Sequence, residues 1–558
     1  MESLGYHTER GEGALGMPEG EAVKEGGVEV EEMQKIPLIL NASLVRPSFT
    51  EYLDRDFEIR GILLTWAAVM ASGEDTVRQR DGANPPPPAA GGTLKEAQQE
   101  GKSHVVYQTM VAASIGLGGL AATVAMGYTS PALPSMRADP DIQITPEQES
   151  WIGAVMPLAA LAGSLMAGPL VDRFGRRTTM IHLNWPFCLS WALIASSAGV
   201  SGVLLGRVLG GICVGLQAVV GSVLMPEMVH VDLRNILAAF PALFGNLGLL
   251  VSFGAGQLLS WRGLAWLGAS LSLLPVPLLL PLPETPHYLT RTGRVEASLK
   301  ALLQIRGSKE AAEKEQGEIN ESVNSRSAQE EVTMKELAHA PNFWPVGVAV
   351  GLMVAQQTTG ITAVVFFAST ILEVGGEALA AKASVLLGVI NLLGNVIGIY
   401  CIGTCKRRDC LLWSTYGVVT SLLVLATFFW AREAGGAALE VANSLYLVPV
   451  VALLTYMVSF ALGWGPVPWV FLGEGMPSQV RGKAAALVVS ANWGFAFLVT
   501  KTFGWSLASL GSANTFLGYA VMTGAAIVLL RPNMPETFKK STAEMDRLYL
   551  EEAAKKHQ

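Results

Sequence analysis

The chain is poor in charge: only 15% of its 558 residues are Asp, Glu, Lys or Arg, against 51% apolar residues and a mean hydropathy of +0.39. That balance is unusual for a water-soluble protein of this length. Cysteine is scarce too. Cys188, Cys213, Cys401, Cys405 and Cys410 lie in or beside apolar stretches without metal-ligand or disulfide spacing, so they read as packing residues. There is no nucleophile with a partner base and no Gly-rich phosphate loop between a strand and a helix, which argues against an enzyme. Nothing calls for a cofactor or a metal. The net charge of −7 sits largely in the N-terminal and central polar segments and says little about partners; neither nucleic acid nor an obligate protein partner is inferred.

What the chain does have is long apolar runs. From about Gln108 they recur at roughly 18 to 24 residues, the length of helix that crosses about 30 Å of hydrocarbon. Twelve are expected, beginning near Gln108, Ser150, Thr178, Gly202, Ile236 and Leu264, then Pro345, Lys382, Leu411, Leu445, Ala484 and Asn514. The implied fold is an all-α membrane protein of two six-helix bundles, residues 105–282 and 342–531, with a polar loop (283–341) between them and a polar tail (532–558) after them. Residues 1–104 hold one short apolar patch, Ile62 to Ala71, and no basic leader joined to a cleavable apolar core; a disordered tail is the expectation. Short loops rich in Lys and Arg stay cytoplasmic. Arg173, Arg176 and Arg177, then Arg234, Lys406 to Arg408, and Arg481 with Lys483 all fall on one side, so both termini and the central loop should be cytoplasmic. The sequons at Asn41 and Asn320 are then expected to be silent.

The chain also repeats itself. Glu227 precedes Arg234 as Glu474 precedes Arg481, with 247 residues between copies, and Pro283-Glu284-Thr285 returns as Pro535-Glu536-Thr537 after 252. Markers in register at the ends of apolar runs indicate duplicated halves, an architecture common among secondary transporters, whose substrate site lies between the repeats.

After the second span stands Gly168-Pro-Leu-Val-Asp172-Arg173-Phe-Gly175-Arg176-Arg177. Its acid and arginines can make charge-assisted bonds to neighbouring helix ends and so act as a gate on the cytoplasmic face; taken alone, the arginines are also compatible with an ordinary topogenic loop. The whole string resembles the loop signature of the major facilitator superfamily. Gly206-Arg207, Pro283 to Pro286, Gln356-Gln357-Thr358-Thr359-Gly360, Gly465-Pro466-Val467-Pro468-Trp469, Val480-Arg481-Gly482 and Asn492-Trp493 narrow the resemblance to its sugar porters. Tyr128 to Leu133, Phe244-Gly245-Asn246 and Thr500 to Phe503 look most like the insect facilitated trehalose transporters and the intracellular class of animal glucose facilitators.

The resemblance implies a sugar site of Gln356, Gln357, Thr362, Asn391, Trp469, Asn492 and Trp493, and a cytoplasmic gate of Asp172, Arg173, Arg176, Arg177, Glu227, Arg234, Arg407, Arg408, Glu474 and Arg481. The residue types suit that use: amides and indoles exchange hydrogen bonds with a neutral polyol, and an aromatic face covers its C–H surface. Amides also join helices, and tryptophans also form interfacial belts. Gly463, Gly465, Pro466 and Pro468 should interrupt one span, as a bending gate or a static kink. The chain departs from the family at several places: Gly403 to Arg408 lacks the acid and glycine of Asp172 to Gly175, so its half of the gate should be weaker; Ala242 replaces the fifth-helix glutamine, Thr362 the seventh-helix asparagine and His287 an arginine, while Asn235 stands for a glycine and Phe366-Phe367 lack tyrosine hydroxyls. The first span carries no acid, and Ala125 stands where proton-coupled sugar porters have an aspartate. The expected function is therefore facilitated movement of trehalose or a hexose such as glucose across a bilayer, expected at the plasma membrane. The alternatives are a proton-coupled symporter and a non-transporting nutrient sensor of the same fold.

Overall fold

The computed structural model describes residues 94–556, apart from 231–232, 234–236, 238, 329–341, 374–375, 478–479 and 541. The expectations for residues 1–93 and for Arg234 fall outside this set, as does that for the side chain of Arg481. Among the described residues every regular element is a helix. We number the membrane-crossing helices in chain order: α1 (Val105–Arg137), α2 (Pro146–Phe174), α3 (Arg176–Ala195), α4 (Val200–Met228), α5 (Ala239–Ala255), α6 (Trp261–Leu279), α7 (Phe343–Phe366), α8 (Glu377–Thr404), α9 (Arg407–Ala434) and α10 (Val448–Glu474). The last run, Arg481–Asn533, turns at Gly511, whose φ of 82° lies outside the helical region; this divides it into α11 (481–510) and α12 (512–533).

Local chemistry sets these boundaries. At the start of α2, Thr145 Oγ1 accepts from Gln148 N at 3.3 Å while Gln148 Oε1 accepts from Thr145 N at 2.9 Å, a reciprocal cap reinforced by Pro146 in the first turn. α10 breaks after Leu462, because Pro466 and Pro468 bring no N–H to the helical ladder.

The repeat read in the sequence is a repeat of packing. α2 lies on α4 and α3 on both α4 and α6 in the first bundle, as α8 lies on α10 and α9 on both α10 and α12 in the second. The bundles meet through α2 against α11 and α5 against α8, two contacts that exchange under the same pseudo-twofold relation. Close approach needs glycine: a Cβ on Gly215 would stand 2.0 Å from the Ala160 carbonyl oxygen between α2 and α4, and one on Gly398 2.2 Å from that of Ala461 between α8 and α10.

The central segment, expected as a loop, is helical through Pro286–Arg291, Val295–Arg306 and Lys309–Ala328. The middle helix buries Ser298, Ala301, Leu302 and Ile305 along one face and ends at Gly307, in left-handed conformation at φ 72°. It docks on the first bundle, where Gln108 Nε2 donates to the Ile305 carbonyl (3.0 Å) and Arg306 to that of Met228 (3.0 Å).

Candidate functional site

Four of the seven expected sugar contacts form one hydrogen-bonded cluster between α7 and α11. Asn492 Nδ2 donates to Gln356 Oε1 (2.8 Å), Gln357 Nε2 donates to Asn492 Oδ1 (3.2 Å), and Thr362 Oγ1 donates to Gln357 Oε1. All four side chains are buried. Trp493, beside Asn492, is also buried, and its indole Nε1 bonds no protein acceptor among the described residues, which leaves a donor for a ligand. Gln356 reaches further. Its Nε2 donates to the carbonyl oxygens of Trp464 (2.7 Å) and Gly465 (2.9 Å), at the break in α10.

The other two expected contacts lie apart from this cluster. Asn391, on α8, donates through Nδ2 to Asn246 Oδ1 (2.7 Å) on α5, and Asn395 Nδ2 donates to the same oxygen (2.9 Å). Trp469, on the lower arm of α10, is 40% exposed and takes no part in the amide cluster. A separate cavity of about 500 Å³, lined by Lys406, Arg408, Asp409, Arg531, Pro532 and Glu536, opens beside α9 and α12 and is lined by none of the amides.

Arg207, inside α4, is a buried cation whose acceptors are all neutral: the carbonyl oxygens of Ala125 (2.6 Å) and Ile152 (3.1 Å) and the Thr129 hydroxyl (2.9 Å). Its guanidinium also lies 5.9 Å from the ring centroids of Tyr128 and of Phe366, the latter from the second bundle.

Of the expected gate residues, Arg176, Arg177 and Glu227 in the first bundle and Arg407, Arg408 and Glu474 in the second form two matching clusters. In the first, Arg176 pairs with Glu227 (3.0 Å), and Glu284 accepts from the backbone N–H groups of Arg176 (2.9 Å), Arg177 (2.9 Å) and Thr178 (3.0 Å). In the second, Arg407 pairs with Glu474 (2.9 Å), and Glu536 accepts from the N–H groups of Arg407 (3.0 Å) and Arg408 (3.2 Å). Arg177 donates to the carbonyls of Leu279 and Leu280, as Arg408 does to that of Met534. The acid of each repeated Pro-Glu-Thr string therefore caps the N-terminus of a helix, a role that its recurrence in the sequence only hinted at. Asp172 pairs with Arg291 (2.8 Å) and stands 3.8 Å from Arg176, and the second bundle has Gly403 at the matching position. The Arg173 guanidinium covers the Phe174 ring.

At the opposite end, polar contacts join the bundles directly. Ser130 and Ser369 hydroxyls are 2.8 Å apart, Arg137 reaches Glu373 at 3.3 Å as well as Glu149 at 2.6 Å, and Ser150 Oγ donates to the Lys501 carbonyl at 3.1 Å. The Lys501 ammonium sits 4.3 Å from the Trp151 ring centroid. Nearby, the Trp261 indole N–H bonds Asp139 (2.7 Å) and holds its carboxyl below the ordinary aspartate range. Sequence reading missed this seam because its members are small or ordinary surface residues whose pairing depends on helices far apart in the chain.

Two pseudo-symmetric six-helix bundles with buried amides between their helices define a multi-pass membrane protein of the major facilitator fold. The profile of the family described as "Sugar (and other) transporter" matches residues 93–549, and the chain belongs to that family. It is 34% identical to the facilitated trehalose transporter of Anopheles gambiae over 80% of this chain and 56% of that one. It is also 34% identical to the facilitated trehalose transporter of Polypedilum vanderplanki over 80% of this chain and 88% of that one. Against most of these relatives, the chain spans about half of their length. Among solved structures, the proton:xylose symporter XylE bound to 6-bromo-6-deoxy-D-glucose superposes with a TM-score of 0.65 at 23% identity, covering 80% of this chain and all (100%) of that one. A partially occluded inward-open form of the E. coli xylose transporter gives 0.66 at 22% identity, over 78% and 99%.

Proposed function

We propose that the chain carries a small neutral sugar, trehalose or a hexose such as glucose, down its gradient across a plasma membrane by alternating access. The observation that carries this reading is the cluster of Gln356, Gln357, Thr362 and Asn492 beside the Trp493 indole donor: a buried, uncharged, amide-rich set of donors and acceptors suits polyol hydroxyls. Kinship with facilitated trehalose transporters supports the substrate class. Asn391, and Trp469 as an aromatic cover, complete the proposed contacts.

Facilitation is favoured over proton coupling by the surroundings of Arg207. A proton site in a membrane span needs a titratable acid, and here the buried cation bonds only neutral oxygens, with Ala125 contributing a backbone carbonyl. Residues 105–282 and 342–531 act as the rocking units, with 283–341, 532–558 and the tail 1–104 on the cytoplasmic side, an orientation supported by the basic loops. Asp172, Arg173, Arg176, Arg177, Glu227 and Arg234, with Arg407, Arg408, Glu474 and Arg481, form the cytoplasmic gate: each cluster stiffens the end of its own bundle, and the two stiffened ends dock when that side closes. The bonded seam at Ser130–Ser369 and Arg137–Glu373 supports assigning the present state as closed toward the outside.

The deciding experiment is uptake of labelled trehalose and glucose by proteoliposomes containing the chain, with and without an imposed pH gradient. Saturable uptake that equilibrates without accumulation, and is indifferent to a protonophore, is expected. Accumulation that collapses with the proton gradient would replace the uniporter by a symporter, and failure to move any sugar would remove the transport reading.

A further inference from the structure

We infer that Asn246, on α5, is a substrate-contacting residue that determines sugar specificity together with Asn391, so that the sugar bridges the two bundles; this rests on the sugar-transport reading above. Within α5 the sequence AFPALFGNLGLLVSFGA holds one amide, Asn246, and otherwise only the hydroxyl of Ser252 as a polar side chain. Polar side chains in membrane spans turn to bundle interiors or water-filled cavities rather than to lipid. Asn246 meets Asn391 and Asn395, one turn apart on α8, across the line where the bundles join.

Counting bonds shows what remains for a ligand. A primary amide has two N–H donors and two acceptor lone pairs. Asn246 Oδ1 accepts twice, from Asn391 (2.7 Å) and Asn395 (2.9 Å), while one N–H of its Nδ2 is directed at the Ala242 carbonyl (2.7 Å), leaving the second donor over. That bond to Ala242 runs to the carbonyl four residues back, which is already within the helix's own ladder, so releasing it strands no backbone group. Asn391 gives one of its two N–H groups to Asn246, and its Oδ1 takes only a long contact from Asn395 (3.3 Å). The pair thus has at least two spare donors and a spare lone pair where α5 meets α8, with Asn246 half-buried and Asn391 buried. A sugar hydroxyl both donates and accepts, and can sit between the two side chains. Such a bridge ties the ligand to both moving units at once, so its strength depends on how the bundles are disposed. Ala242, one turn earlier on the same face of α5, brings no hydrogen-bonding side chain that could do this instead.

The test is a cycle between protein and ligand. Transport of whichever sugar the unaltered chain carries, trehalose or glucose, is measured against its monodeoxy analogues in the unaltered chain, Asn246→Ala and Asn246→Ala/Ala242→Gln. Losing one hydrogen bond should raise KM about 2- to 13-fold in Asn246→Ala. The unaltered chain should discriminate against one deoxy analogue by a similar factor, and Asn246→Ala should lose that discrimination while keeping it for the others. Ala242→Gln, which returns an amide to the same helix face, should recover part of the affinity. Asn246→Asp serves if the alanine variant does not fold: its carboxylate still accepts from Asn391 and Asn395 but donates nothing when ionised, so the seam is kept and the discrimination is lost. A purely structural Asn246 would change protein yield or turnover and leave every deoxy penalty as in the unaltered chain, which overturns the inference while sugar transport stands. An unaltered chain that moves no sugar overturns the transport reading and this inference with it.

Discussion

Gln356 holds the break in α10 by donating to the carbonyl oxygens of Trp464 and Gly465, at 2.7 and 2.9 Å. Trp464 is pinned from the other side as well, its backbone N–H donating to Ser414 Oγ and its indole N–H to Thr415 Oγ1, both at 3.0 Å. The interruption that Pro466 and Pro468 create is thereby satisfied by side chains from α7 and α9. An amide expected to read sugar hydroxyls is also the clamp on a proposed gate, so a ligand that competes for Gln356 acts on the bend at the same time.

Gln356→Ala should therefore fail in two ways. It takes the Gln356 amide from the carbonyl oxygens of Trp464 and Gly465, while Asn492 Nδ2 keeps the Met353 carbonyl (3.3 Å), and an unsatisfied buried group costs about 1–3 kcal/mol. A lower melting temperature in detergent is expected together with a sugar affinity weakened about 2- to 13-fold, for a net bond of about 0.5–1.5 kcal/mol. Weakened binding at an unchanged melting temperature would dissociate the amide from the α10 break.

Gly175 and Lys406 occupy matching places in the two bundles but differ in conformation. Gly175 has φ 91°, and a Cβ there would lie 2.5 Å from the Glu284 carboxylate, whereas Lys406 has φ −66° in an extended conformation. Gly175→Ala should destabilise the first bundle by roughly 1–3 kcal/mol from the backbone alone, and Lys406→Ala should be close to neutral. Thermal unfolding of the two variants side by side checks the difference; equal, small effects would mean that the loop after α2 relaxes freely.

Much of the architecture was legible because hydrocarbon imposes a length and the chain is duplicated. A helix stands at each of the twelve expected places; among the described residues nine helices, the last of them divided at Gly511, are long and apolar enough to cross a bilayer, while α3 is less apolar than most of the others and α5 is short. The α11–α12 boundary is set by the conformation of Gly511, three residues before the Asn514 that composition suggested. The central segment was read as a loop because its polar average hid the narrow apolar face of Val295–Arg306. Within the site, the neighbours Gln356 and Gln357 and the distant Asn492 do converge, whereas Asn391 was legible only singly: Asn395 stands one turn on along α8, and Asn246 meets both through the packing of α5 on α8, which no local pattern encodes. Gate residues were legible as types, yet their pairing within each bundle, Arg176 with Glu227 and Arg407 with Glu474, needed the fold.

Ala125→Asp tests the basis of uncoupled transport. The backbone oxygen of Ala125 already accepts from Arg207 at 2.6 Å, so an acid introduced there has a buried guanidinium as its neighbour. A nearby cation lowers a carboxyl pKa by about 1–3 units, and burial opposes that shift. Transport by the variant should acquire a dependence on pH that the unaltered protein lacks, read as uptake of labelled sugar across a series of buffer pH values. Identical flat profiles would show that position 125 does not sense the transport cycle.

Glu474 accepts from Arg407 at 2.9 Å and from the Thr537 hydroxyl at 2.8 Å, joining the ends of α9 and α10 to the repeated Pro-Glu-Thr string. Glu474→Ala should loosen that end and disfavour the state in which it must dock on the first bundle, changing turnover more than intrinsic sugar affinity. Cysteine-labelling rates at both ends, measured on equal amounts of folded protein, report the shift. Unchanged accessibility would leave Glu474 as a folding residue only.

The seam at the end away from the basic loops can be locked. Ser130 and Ser369 belong to different bundles, their hydroxyl oxygens are 2.8 Å apart, and the backbone N–H of Ser369 donates to Ser130 Oγ at 3.0 Å, so this contact is held from two directions. Alternating access requires it to part in every cycle. Ser130→Cys/Ser369→Cys should oxidise to a cross-link, stop uptake, and recover when dithiothreitol is added, while each single variant continues to transport. The five native cysteines are free, and Cys213 and Cys410 are buried, so the single variants under the same oxidant control for them. Locking should also leave cysteines placed near Arg177 and Arg408 continuously open to labelling, because only the far end is held shut. Full uptake by the cross-linked protein would mean that the bundles do not separate at Ser130 and Ser369, and alternating access through this seam would have to be abandoned.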